Sequence, residues 1–237
     1  MIFPLIITIT ILIFFFIYKN KKENFDYVVP RYYEDLNWVT KYPDLNFFIY
    51  NRGKPNIRVI SLPNNGRDCH TILYHIINNY HNLGEVTIFG ANNSSDYRRY
   101  SKVNKTIELV RKTNNTVFIC ESIINNIKNF KISAYKSTNI NNVTNEEEKD
   151  KNMILSDIRP FDTWYKSIWP DSPVNWVCYL CIFAVHKNHI IQHPLSYYEK
   201  LIQGLEHVNT ELCHYMERAF TTVFYPYPLS CVYNHTY

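Results

Sequence analysis

The chain has 237 residues, of which 46% are hydrophobic and 16% aromatic, enough for a real core in one domain of ordinary to large size. Its net charge of +4 is modest, and no aromatic-interleaved nucleic-acid module accompanies it, so DNA and RNA are not expected partners. No nucleophile elbow, HExxH or phosphate-binding P-loop occurs, which leaves a hydrolase without support.

Residues 2–18 carry no charge, and only Thr8 and Thr10 interrupt a run of Ile, Leu and Phe. As a helix this run spans about 25 Å, just short of the ~30 Å hydrocarbon core, a mismatch that a thinned bilayer or an interfacial Tyr18 absorbs. A cleaved signal peptide needs a basic n-region and a small-x-small site before KNKKEN, and both are missing. Residues 1–18 are therefore expected to form a retained transmembrane anchor, with 19–25 a polar linker and 26–237 a single α/β domain. Orientation is contested: Lys19, Lys21 and Lys22 follow the apolar run, which places the domain in the cytosol. N-x-S/T sequons at Asn92, Asn93, Asn104, Asn114, Asn142 and Asn234 suit a lumenal domain instead.

Along the domain, 27–29 reads as a strand, 34–42 as a short helix with Leu36 and Val39 inward, and 47–50 as a second strand closed by the turn Asn51-Arg52-Gly53. Residues 57–61 give a third strand. The loop Pro63-Asn64-Asn65-Gly66 precedes a helix whose Ile72, Leu73, Ile76, Ile77 and Tyr80 share one face. Strands follow at 85–89 and 116–120, with a basic cluster between them (Arg98, Arg99, Lys102, Lys105, Arg111 and Lys112) that reads either as an anion-binding patch or as a solvated helix face. Residues 131–152 are polar, aperiodic and expected to form an exposed insertion. The run IRPFDTWYKSIWPDSPVNW is too aromatic for a linker and is expected to fold over a site or a core edge. Residues 177–185 read as one strand covered on both faces. Ser196 and Glu199 after Pro194 suggest a capping box opening a helix, and Thr210 caps the last helix, which Pro226 and Pro228 stop. Strands alternating with helices predict a mostly parallel or mixed sheet flanked by helices.

Four constellations carry candidate chemistry. Arg31, Glu34 and Asp35 directly follow a strand, where Arg can hold a phosphate and the carboxylates a ribose or a metal; an ordinary helix start is the alternative. Gly66, Arg67, Asp68, His70 and Thr71 sit at a helix N-terminus, suited either to an anion or to capping, with His70 an acid–base candidate. Asp96 follows the strand EVTIF and is a candidate metal ligand for Mn²⁺ or Mg²⁺. Cys178-x-x-Cys181 with nearby His residues suggests zinc only superficially: on a strand, residues three apart point to opposite faces, so buried apolar Cys is the better reading. Whether any of the six Cys pair in a lumenal domain is left open. Glu217 lies off its helix's apolar stripe and is expected on a solvated face.

RYYEDLNW, IYNRG, NGRD, HT, LYHIINNY, VTIF, FAVHKNHIIQHPLSYYEKL and HYMERAFTTVF, in that order from about 27 to 224, resemble the domain-of-unknown-function family numbered 3431. Its strand and loop order looks like the nucleotide-sugar half of type A glycosyltransferases. The resemblance implies a membrane-anchored, glycosyltransferase-like protein facing the lumen, taking a nucleotide-sugar donor and a glycan acceptor. Arg31, Glu34, Asp35, Gly66, Arg67 and Thr71 would bind the donor, Trp164 would stack on the acceptor, and the family's ER pair, here Glu217 and Arg218, would close the site. Asp157, Asp162 and Asp171 are candidate bases for the acceptor hydroxyl. Type A enzymes commonly carry Asp-x-Asp after the strand that EVTIF matches, and family relatives tend to have Gln followed by Asp–His; this chain has GANNSSDY and no Asp-x-Asp anywhere. That departure favours a non-catalytic glycan- or protein-binding module as the alternative.

Overall fold

The computed structural model describes residues 24–32, 34–53, 59–90, 97–122, 127–131, 154–172, 176–208 and 210–234. FDYVVPR forms β1 (Phe25–Arg31), which is buried along almost its whole length. Its side chains alternate between two cores: Phe25, Tyr27 and Val29 face one, and Val28 faces the other. A strand that must fill two cores cannot alternate polar with apolar, hence the continuous YVV.

β2 (Asn46–Asn51) and β4 (Val86–Phe89) lie on either side of β1, and β3 (Ile60–Ser61) pairs with β2, all four parallel. β7 (Phe183–His186) runs antiparallel to β4 and completes a sheet of order β3-β2-β1-β4-β7. A second sheet, β6-β5-β8, joins Trp176–Val177, Phe118–Ser122 and Val232–Asn234, and the bridge Val117↔Ala184 ties it to β7. α1 (Arg67–Asn79) covers one face with Ile72, Leu73 and Ile76; α2 (Tyr97–Thr113) covers the other with Val103, Ile107 and Val110. The rest of the first face is closed by α3 (Phe161–Ile168), α4 (Lys187–Ile191), α5 (Leu195–Ile202) and α6 (Glu211–Val223). The architecture is thus mixed α/β, with helices on both faces. From β1 the chain steps outward through β2 to β3 and then returns to the other side of β1 as β4. The carboxyl ends of β1 and β4 therefore flank a topological switch point, where open α/β sheets place their ligands.

Several expectations shift. The helix at 34–42 is only a 3-10 turn, Asn37–Lys41, because the preceding carboxylates bond to nearby backbone instead: Glu34 accepts from the Tyr32 amide and Asp35 from the Asn37 amide. The strand at 177–185 is broken into β6 and β7 by a 3-10 turn, Tyr179–Cys181, in which Leu180 (φ 70°) and Cys181 (φ 53°) are left-handed. No capping box forms at Ser196, since the N-cap of α5 is Pro194, two residues earlier. The Thr210 cap is present, its hydroxyl accepting from the Cys213 amide at 3.3 Å. Within the basic cluster, Arg99, Lys105, Arg111 and Lys112 lie along α2, but Lys102 is buried, so that cluster is not one solvated face. Among the sequons, Asn104 sits within α2 with its side chain engaged by the Tyr42 hydroxyl, and so does not lie on a surface loop.

Among the described residues no helix is long and apolar enough to cross a membrane. The expected anchor at 1–18, most of the linker and nearly all of the 131–152 insertion lie outside the described residues.

Candidate functional site

Parallel register brings Arg31, the last residue of β1, opposite Asn51, the last of β2. The Arg31 guanidinium donates from Nη1 to Asn51 Oδ1 at 2.6 Å and from Nε to the Glu34 carbonyl at 3.0 Å. Glu34 Oε2 accepts from the Tyr32 amide at 2.7 Å, so Arg31 and Glu34 together fix the loop leaving β1. Asp35 is exposed and caps the 3-10 turn. A half-buried guanidinium held from two sides has little conformational freedom left to lose, and its chemistry suits bidentate contact with an anion.

Arg52, one residue beyond β2, is buried and ion-paired through Nη2 to Asp68 Oδ1 at 2.8 Å. This pair ties the β2 loop to the first turn of α1. Gly66 is the N-cap of that helix, at φ 53°, and its amide donates to the His207 carbonyl at 2.8 Å. A Cβ at Gly66 would stand 2.7 Å from the Leu205 carbonyl oxygen, so position and conformation both demand glycine. The segment 205–207 therefore covers the start of α1, and Gly66's amide is committed within the fold. Thr71 is fully buried, which takes it out of reach of a ligand. Arg67 begins α1 with a left-handed φ of 49°. His70 is buried, stacks on Tyr74 at 6.1 Å, and is lowered from the ordinary imidazole range by burial and by neighbouring Arg52. Both causes favour its neutral form over the imidazolium.

Glu217 and Arg218 are not on a solvated face. Glu217 Oε1 accepts from the Leu180 amide at 2.8 Å, and Lys102 Nζ donates to the Tyr179 carbonyl at 2.6 Å, so two opposite charges hold the left-handed turn between β6 and β7. Arg218 is buried over the Phe130 ring, 3.7 Å from its centroid, and donates to the His214 carbonyl at 2.7 Å. The turn precedes Phe183, which pairs with Phe89 at the end of β4, and so lies at the same sheet edge as Arg31. Cys181 connects the parts: its thiol is pushed up by the hydrogen bond to Cys69 and by burial, and also by the negative charges of Glu217 and Asp68. The structure thus brings Arg31 and Glu34, the Arg52–Asp68 pair, and Glu217 from three separate blocks to one end of the sheet.

The aromatic segment does not join them. Phe161, Trp164 and Tyr165 are buried against Tyr215 of α6 or one another, with Trp164 and Tyr215 centroids 5.4 Å apart, and the buried Trp169 donates Nε1–H to the Tyr197 hydroxyl. Trp164 is core and presents no stacking face, because an amphipathic α3 buries it against α6. Asp157 and Asp171 are exposed, and Asp162 pairs with Lys166 at 2.7 Å. Among the described residues none of the three bonds to the Arg31, Arg52 or Glu217 groups. Asp96 lies outside the described residues. Within them, no three His, Cys, Asp or Glu side chains stand close enough to hold a metal ion.

Sequence reasoning missed Arg52, which it read as part of a turn, although β1–β2 register alone would have placed it beside Arg31. It also missed the ion pair of fully buried Glu211 with Arg159 at 2.8 Å, which locks the segment before α3 onto α6.

A family model described as a protein of unknown function, DUF3431, matches residues 27–236. No curated protein and no solved structure matches the chain.

Proposed function

The chain belongs to the DUF3431 family, and from its own geometry we propose that it is a membrane-anchored, glycosyltransferase-like protein that transfers a sugar from a nucleotide-sugar donor to an acceptor. One observation carries this reading: Arg31 stands at the switch point, braced by Asn51 and the Glu34 carbonyl. The donor's diphosphate lies against Arg31, with Arg67 at the start of α1 as a second cation, and the ribose lies over the loop that follows Arg31. His70, neutral and beside Arg52, is the acid–base group that this edge retains. The apolar run 2–18 supplies the anchor, and the sequons favour a lumenal domain against the cytosolic orientation that Lys19, Lys21 and Lys22 favour.

A thermal-shift screen of the protein against nucleotide sugars and free nucleotides, with and without Mn²⁺, tests the proposal. Ligand at about 100 times its dissociation constant stabilises the fold by about 2.7 kcal/mol, a readily visible shift. A nucleotide-selective shift identifies the donor base. Silence across the panel from a folded protein favours the second reading, a non-catalytic glycan- or protein-binding module, which the missing Asp-x-Asp supports.

A further inference from the structure

All six cysteines are buried as free thiols, and four of them meet in two pairs around one turn. Cys69 Sγ on α1 lies 3.7 Å from Cys181 Sγ, and the Cys178 thiol, which donates to the carbonyl of Ile119 at 3.4 Å, neighbours Cys120, the next residue on β5. Cys178 and Cys181 are the two ends of the left-handed turn between β6 and β7, so each end touches a thiol from a different layer. Sulfur atoms 3.7 Å apart are in van der Waals contact, and a rotation about each Cα–Cβ bond is the kind of motion that closes such a gap to the ~2.05 Å of a covalent bond.

We propose that Cys69–Cys181 and Cys120–Cys178 are disulfide sites that staple this turn to α1 and β5 when the chain folds in the presence of a disulfide oxidant, with Cys213 and Cys231 remaining thiols. With glutathione disulfide as oxidant, a cysteine thiolate attacks one glutathione sulfur and expels a glutathione thiolate. The partner cysteine then attacks the mixed disulfide and expels the second. Each cross-link costs the chain two hydrogens, and two glutathiones carry away the protons and electrons. In the Cys120–Cys178 pair, burial raises Cys178, but its bond from Cys120 and the Lys102 ammonium, whose Nζ is 3.6 Å from Cys178 Sγ, outweigh that and lower it below the ordinary thiol range. Because these sulfurs are buried once the chain is folded, attack precedes closure of the turn. Thiols that stay reduced in the cytosol pair in the lumen, so these sites also report which way the domain faces.

The test uses the full chain, refolded in a glutathione redox buffer, then unfolded and alkylated before and after reduction, with the products mapped as peptides. The expected result is two cysteines alkylated before reduction and six after, with Cys69 linked to Cys181 and Cys120 to Cys178. The oxidised form is expected to melt roughly 10 °C above the reduced form. Alkylation of all six before reduction overturns the proposal, as does a map that links Cys69 to Cys213. Cys69→Ser should free Cys181 alone and leave the Cys120–Cys178 link intact; loss of both links would show that the pairs are not independent sites. None of these readouts depends on nucleotide binding, so their failure is distinct from failure of the transferase reading.

Discussion

The sheet edge around Arg31 and the aromatic cluster around Trp164 both look like binding surfaces in the sequence, and the fold treats them in opposite ways. At the edge, charged groups are held by other polar groups: Arg31 by Asn51 and Glu34, Arg52 by Asp68. In the cluster, rings from α3 and α6 fill one another's space and face no solvent. An aromatic-rich stretch becomes core whenever its helix can turn it inward, whereas an Arg at the end of a buried strand has nowhere to go but the sheet's rim. Charge at strand ends is therefore the better pointer to a site in this chain.

Mutations can break that contrast. The largest loss of stability is expected from Trp164→Ala, about 3–5 kcal/mol, because it opens a cavity under Tyr215; denaturant unfolding checks this. Arg52→Ala should cost a comparable ~3–5 kcal/mol by stranding Asp68 in a partly buried site. A stability loss near zero would mean that the pair serves a ligand and not the fold. Arg31→Ala is expected to weaken nucleotide binding at least tenfold, about 1.4 kcal/mol, while moving the unfolding midpoint little. Titration calorimetry beside a melt separates the two effects.

Acid sharpens the comparison on the core side. His75 is fully buried between Phe48, Phe89 and the Tyr50 hydroxyl, and burial lowers its pKa to about 3. The unfolded chain titrates near 6.5, so the unfolded state binds the proton first as pH falls. Stability from this group is complete above that pH and is lost at about 1.4 kcal/mol per unit between roughly 6.5 and 3. Unfolding of His75→Gln, measured from pH 7 to 5, should lack that component of the slope. The smallest effect belongs to the exposed Lys105–Glu108 pair on α2, where Lys105→Ala should change stability by less than about 0.5 kcal/mol.

Much of the fold is written in local patterns. The Ile72, Leu73 and Ile76 spacing marks α1, the Thr210 cap marks α6, and the apolar runs at β1 and β4 mark central strands, because each depends on neighbours a few residues away. What was illegible depends on partners far along the chain. The break at Leu180 is held by Lys102 and Glu217, neither of which the run 177–185 can reveal. Glu217 looked solvated because its helix's apolar stripe passes it by, yet the turn before β7 reaches across to use it. At the site, Arg31 and Glu34 were legible from their place after a strand. Gly66 was legible as a special position at a helix start, but not the partners that require it: close packing under Leu205 and a bond to His207.

The most direct measurement is hydrogen exchange of the protein with and without a bound nucleotide sugar. The site proposed here predicts new protection in 31–36 and 51–53, the loops that leave β1 and β2, with exchange across 161–169 unchanged. Protection confined to 161–169, with the two loops unaffected, would contradict it and return the site to the aromatic segment.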